Sequence, residues 1–401
     1  MTETGALRTP PIRYATAERF ARPRPVGPED TRPSSGEVCP QPPSRLDAVM
    51  GPPKDSPPQG EDCLNLSVTA PDRDGAVRPV LVWFHGGGFS SGAGLLDWYE
   101  GRRLSAQGDV VVVSVNYRLG ALGYLCLDGV CDGNLGLYDQ IEALRWVRRN
   151  ITAYGGDPDN VTVFGQSAGA LSISWLLELP EARGLFRRAI LQSAPLPYAG
   201  KTRMVASVIG DLFAEKLGGD PRTASVDELL RAQQETAVAN RELTGSAIDP
   251  SFGPVESAEP ILSGAAPGLG GLDGLDVLYG WNADDMTAFP GDGDPAELTE
   301  HTYPEPLAEF TARLREAGAR TFGYRLDWSP EGSPLGATHC LELPLLLGSR
   351  AAWEGAPMLG EAPWEDVEEF GAALRTAWTA FARTGTPDTE ATAAWPVTWG
   401  D

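Results

Sequence analysis

Short stretches of this chain hold residue types that could make and break an acyl bond. Gly165-Gln166-Ser167-Ala168-Gly169 fits G-x-S-x-G, which sets a serine hydroxyl between two glycines. Phe84-His85-Gly86-Gly87-Gly88-Phe89 is a glycine run whose backbone N–H groups no side chain screens. The chain has three histidines, His85, His301 and His339. A serine becomes a useful nucleophile when a base takes its proton, and the negative oxygen formed on attack needs two or three positioned donors. A serine, an imidazole and a donor loop together point to acyl transfer.

The serine motif alone is weak. In a chain this rich in glycine, chance supplies it in roughly a third of cases, and Gly88-Phe89-Ser90-Ser91-Gly92 is a second match. The surroundings separate the two. Ser167 follows the strand-like VTVF (161–164) and precedes ALSISWLLEL, an apolar helical stretch. A strand, a sharp turn and a helix place a serine hydroxyl at the exposed tip of a sheet, against a helix N-terminus. Ser90 precedes no such helix. The glycine run follows RPVLVWF (78–84), so its N–H groups sit at the carboxyl end of a buried strand. His85 belongs to that loop, where its backbone position matters more than its ring. His301 lies in ELTEHTYPEP, which reads as an exposed loop. His339 is the remaining candidate base.

The scaffold is legible from periodicity. Val-rich runs at 78–84 and 109–116 read as buried strands of a mostly parallel sheet. Residues 161–164, 187–193, 275–281 and 320–328 add further strands. Helical spacing covers 136–150, 203–217, 226–236, 306–317 and 366–384. Alternating strands and helices over this length imply one doubly wound α/β domain, residues 1–401. Residues 1–60 hold 13 of the 35 prolines and read as an extended segment wrapping the core, with little regular structure. Residues from about 200 to 320 read as cap and connecting helices.

Composition narrows the function. With 32 basic and 55 acidic residues, the net charge is −23. Such a surface repels phosphate backbones and anionic lipid, so neither nucleic acid nor a membrane is an expected partner. No run approaches the apolar length of a membrane span, and MTETGALRTPPIRYA lacks the apolar core of a signal peptide, so a cytoplasmic location is expected. The five cysteines form no CxxC pair and histidine is scarce, so no metal site and no cofactor are expected. The expected partner is a small-molecule ester.

Longer stretches then resemble one family, the type-B carboxylesterases, which also contains the cholinesterases. They are Glu61-Asp62-Cys63-Leu64-Asn65-Leu66, the HGGGF run, and Val115-Asn116-Tyr117-Arg118-Leu119-Gly120. GNLGLYDQ (133–140) follows, running into ALRWV, and YGGDPDNVTVFGQSAGA (154–170) closes the series. The resemblance is clear over about residues 60–195. It implies an α/β-hydrolase fold and a carboxylic-ester hydrolase. It makes Ser167 the nucleophile, and Gly87, Gly88 and Ala168 the oxyanion donors. GWNADDM (280–286) is similar to the turn that carries the family's acid, which puts Asp285 in that place beside Asp284. THCLELP (338–344) is similar to the region of the family's histidine, which again selects His339. The order Ser167, Asp285, His339 is that of α/β-hydrolases.

The departures from the family set further expectations. Gln166 stands where the family usually has Glu. The acid is Asp, one methylene shorter, so its turn must sit closer to His339. The family's leading hairpin is not recognisable, and little material lies between Met286 and Gly336 to roof the site. A reduced helical cap and a wide, shallow, solvent-open site are therefore expected. Cys39 and Cys63 resemble a pair that forms a disulfide in secreted relatives and would stay thiols in a reducing cytosol. Cys126 and Cys131 are close enough in sequence to pair. The alternative functions are a tailoring enzyme of the same fold, performing lactonisation, acyl transfer or cyclisation, and a non-catalytic binding protein.

Overall fold

The computed structural model describes residues 5–27, 33–72, 74–246, 248–261, 272–291 and 293–400. Its centre is a sheet of ten strands: β1 (Ala6–Arg8), β2 (Ile12–Arg13), β3 (Asn65–Pro71), β4 (Arg78–Phe84), β5 (Val111–Val115), β6 (Gly156–Gln166), β7 (Arg188–Gln192), β8 (Asp276–Asn282), β9 (Arg320–Leu326) and β10 (Val397–Gly400). The spatial order is β1-β3-β5-β4-β6-β7-β8-β9-β10, with β2 also on β3. From β5 through β4 to β9 the pairings are parallel; β1, β2 and β3 at one edge and β10 at the other pair antiparallel. Helices α1 (Leu135–Asn150), α2 (Ala168–Glu178), α3 (Arg203–Leu217), α4 (Val226–Thr244), α5 (Pro295–Thr302), α6 (Pro304–Glu316) and α7 (Trp364–Thr384) accompany the sheet.

The central strands are buried on both faces, which is why they read as continuous apolar runs. Along β4, Val80, Val82 and Phe84 enter one core, while Leu81 and Trp83 enter the other. The period of two thus divides one strand between two packed layers. Strand β6 runs well beyond the expected 161–164. Its polar start carries no hydrophobic signal, yet Gly156 pairs with Arg78 across an irregularity in register.

Two expectations are corrected. Residues 1–60 carry more regular structure than a wrapping coil: β1 and β2 both pair antiparallel with β3, and a short helix covers Asp47–Met50. Neither strand contains a proline; Pro10 and Pro11 fall between them, where no ladder hydrogen bond is lost. His301 lies on helix α5, not in a loop. Asp294 caps that helix by accepting from the Ala296 N–H at 3.0 Å, and Pro295 takes the first turn, where its missing donor costs nothing. His301 is nonetheless exposed, paired with Glu305 one turn on.

The loop after β5 is tied down by a buried ion pair. Arg118 Nε and Nη2 each donate to Asp139 on α1 at 2.8 Å, the Arg118 N–H donates to the same carboxylate, and Nη1 reaches the Ala21 carbonyl. One guanidinium thereby joins the sheet, α1 and the N-terminal segment. The neighbouring Tyr117 hydroxyl donates to the His85 carbonyl at 2.6 Å, and its ring stacks on the His85 imidazole with centroids 4.4 Å apart. His85 is wholly buried, and burial lowers its pKa to about 4, so it is neutral and its task is to hold the glycine loop.

Asp139→Asn leaves Arg118 buried without its counter-charge and is expected to cost ~3–5 kcal/mol in urea unfolding. A loss under ~1 kcal/mol would show that the pair is not a structural anchor. For His85 the folded pKa lies below the unfolded value of about 6.5, so the unfolded chain takes up a proton first as pH falls. Stability from this group is complete above pH 6.5 and is lost towards pH 4. Relative to His85→Phe, the wild type should therefore lose ~3 kcal/mol between these values. A pH-independent difference between the two proteins would contradict this.

Candidate active site

Ser167 sits between β6 and α2 with φ 55° and ψ −123°. This is a costly backbone for a residue with a Cβ, and the neighbours show why it is held. Its N–H donates to the Gln192 carbonyl at the end of β7, and its own carbonyl accepts from Leu171 in the first turn of α2. A Cβ on Gly169 would overlap the Phe84 carbonyl, and one on Gly165 would stand 2.8 Å from the Gly169 carbonyl carbon. The flanking glycines therefore let helix and strands cross where a side chain would push them apart.

The glycine loop lies directly against this turn. A Cβ on Gly86 would be 2.7 Å from Gln166 Oε1 and 3.1 Å from Ser167 Cβ. Gly87 and Gly88 have φ of 109° and 60°, open to glycine and strained for other residues. Both line the same cavity as Ser167 and Ala168. Ala168 begins α2, so its N–H has no acceptor within the helix. The expected oxyanion donors are thus gathered around the serine.

Behind the serine lies a buried polar network. His339 Nδ1 is 2.6 Å from Asp285 Oδ1, and neither residue is exposed. The second oxygen of Asp285 accepts from Ser193 Oγ at 2.9 Å and from the Asn282 N–H at 2.8 Å. Asp284 turns away: its carboxylate accepts from the Ala337 N–H, and its own N–H donates to the Ala337 carbonyl. One of the two adjacent acids therefore meets the imidazole, and the other fastens the loop that delivers it. These bonds hold the shortened acid's turn close to the His339 loop.

His339 Nε2, the atom a base would use, lies 2.9 Å from Gln166 Nε2. With the Nδ1 proton shared with Asp285, the Nε2 lone pair accepts from the Gln166 amide. Among the described residues Ser167 Oγ makes no hydrogen bond to His339. Glu342 is also fully buried here; Asn282 Nδ2 donates to it at 2.7 Å and Gln192 Nε2 at 3.3 Å. Burial first, and the nearby Asp285 charge second, raise its pKa. Sequence reading missed Ser193, Asn282 and Glu342 as parts of this network. The available signal was position: Ser193 follows β7 directly, Asn282 ends β8, and Glu342 is three residues past His339.

The site is not the wide, shallow one expected. Ser167 is 8 % exposed at the base of a cavity of about 30 Å³. Ser44, Arg45 and Leu46 from the Pro-rich segment close one side, and Ile248 and Pro250 another. Phe289 and Tyr303, from the stretch between Met286 and Gly336 expected to leave the site unroofed, also line the cavity and pack on the His339 ring. The roof is built from loops, which hydrophobic periodicity does not register. A larger cavity of about 290 Å³ lies behind the glycine loop, bounded by Gln41, Trp98, Gln166 and Cys340. All five cysteines are thiols, although Cys39 and Cys63 adjoin in one core and Cys126 and Cys131 lie on paired two-residue strands. No helix among the described residues is long and apolar enough to cross a membrane.

Known proteins share this arrangement of sequence and fold. The model of the carboxylesterase family matches residues 10–267. A probable N-octanoylanthranilate hydrolase of Rhodococcus erythropolis is 40% identical over 96% of this chain and 90% of its own length. The para-nitrobenzyl esterase of Bacillus subtilis (strain 168) is 36% identical over 99% of this chain and 90% of its own. A solved para-nitrobenzyl (PNB) esterase structure superposes with a TM-score of 0.86 at 32% identity, over 99% of this chain and 90% of that one. The chain belongs to the carboxylesterase family and is a carboxylic ester hydrolase of the α/β-hydrolase fold.

Proposed function

We propose that hydrolysis proceeds through an acyl-enzyme on Ser167. The observation that carries this reading is the 2.6 Å contact of Asp285 with His339, set behind a strained serine and a glycine loop. Asp285 holds the imidazole with its proton on Nδ1, which leaves Nε2 as the base. The Gln166 amide must give way so that Nε2 can take the Ser167 proton; such contacts commonly tighten only when substrate is present. Ser167 Oγ then attacks the acyl carbon, and the N–H groups of Gly87, Gly88 and Ala168 receive the oxyanion. His339 passes its proton to the leaving alcohol, and water repeats the sequence to release the acid.

The cavity favours small, partly apolar esters. Phe89, Leu171, Ile248, Phe289 and Tyr303 supply the apolar wall. The name of one related protein, para-nitrobenzyl esterase, points the same way. Aryl and benzyl esters of short acids are the first substrates to try.

Ser167→Ala is expected to abolish both ester turnover and labelling by a fluorophosphonate probe, while Ser90→Ala keeps the label. Labelling that survives in Ser167→Ala would move the nucleophile elsewhere. Asp285→Asn should lower kcat by ~10⁴, as a wrongly tautomerised histidine does. Asp284→Asn removes an acceptor from the Ala337 loop and should cost far less. The reverse ranking in steady-state assays would assign the acid's role to Asp284.

A further inference from the structure

The mouth of the Ser167 cavity carries positive charge in a chain whose net charge is −23. Arg45 lines that cavity with Ser167, Gly88 and Ala168. Its guanidinium lies against the donor loop, since a Cβ on Gly88 would stand 2.5 Å from Arg45 Nη2. The residue keeps a solvent-facing side, as a rim position requires. Protein nevertheless crowds its head, and this desolvation lowers its pKa. An arginine stays charged at any working pH despite such a shift.

Nearby charges leave the rim positive. Asp249 stands between the lining residues Ile248 and Pro250, and Lys201 Nζ holds it at 2.6 Å. Arg241, near the end of α4, adds like charge that is felt at Arg45. Among the described residues, Arg45, Arg241 and Lys201 together outweigh Asp249. An anion approaching the rest of this acidic surface is repelled. An anionic group entering beside Gly88 instead meets a planar donor fork that suits a carboxylate. The protein around the rim lowers the local dielectric and strengthens that contact.

We propose that Arg45 selects substrates that carry a carboxylate close to the scissile ester. The carboxylate docks on the guanidinium while the ester carbonyl lies against the Gly87–Gly88 loop. The inference rests on the acyl-enzyme reading of Ser167 and adds the substrate class to it. Gly88 borders the reacting carbonyl, so the carboxylate can belong to the acid half or to the alcohol half of the ester.

Matched esters test both placements. Para-nitrophenyl hydrogen adipate is paired with its neutral twin, para-nitrophenyl adipamate. Meta-acetoxybenzoate is paired with meta-acetoxybenzamide. The measured quantity is the ratio of kcat/KM for the anionic member to that for the neutral one. In at least one pair, Arg45→Met is expected to lower this ratio about ten- to hundredfold, the range of one charge-assisted hydrogen bond. Arg45→Lys should retain part of it, and added salt should shrink it in the wild type. A ratio that stays within about threefold in both pairs overturns the proposal, and so does equal damage to both members of each pair. Fluorophosphonate labelling of Ser167 without turnover of any of the four esters also counts against it. Absence of labelling would overturn the acyl-enzyme reading instead.

Discussion

The site depends on a close crossing of backbones at Ser167. Strand β6 must end, turn and become α2 within one residue, and that residue pays with φ 55°. The turn is stable because its surroundings leave no alternative. The sheet holds it through Gln192, the helix through Leu171, and Gly165 and Gly169 permit contacts with β4 that any Cβ would block. The glycine loop then follows β4 into the same space and meets the serine from the other side. Ser167 and the glycine loop are therefore placed by adjacent parallel strands.

The polar layer behind the serine obeys a different constraint. Buried carboxylates are tolerated when each oxygen has donors. Asp285 has His339, Ser193 and the Asn282 N–H; Glu342 has Asn282 and Gln192. These donors come from the ends of β7 and β8 and from the loop after β9, so the network also joins the carboxyl ends of neighbouring strands. Desolvation raises the Glu342 pKa and thereby limits how much negative charge this layer holds beside Asp285. His85, in contrast, is buried with no carboxylate partner among the described residues and stays neutral, serving the glycine loop through its carbonyl and its ring.

Loops close the site. Ser44–Leu46, Ile248, Pro250, Phe289 and Tyr303 approach from distant parts of the chain. They narrow the access to Ser167. A site assembled this way can change its substrate by loop substitution while the strands below it stay the same.

The sequence by itself determined the parts that rest on local rules. Strand β4 at 78–84, the Ser167 turn and the glycine run are each written in a few consecutive residues, through burial period and tolerance of positive φ. His339 followed from elimination among three histidines and from the motif around it. The resemblance put Asp285 in the acid's place; only the tertiary structure shows that its carboxylate meets His339 while that of Asp284 meets the Ala337 N–H, because adjacent side chains differ only in direction. It alone brought the Gln166 amide onto His339 across 173 residues, and the Pro-rich segment over the serine. Periodicity records which face of an element is buried. It carries no record of where an irregular segment comes to rest, because that depends on contacts with parts of the chain a hundred residues away.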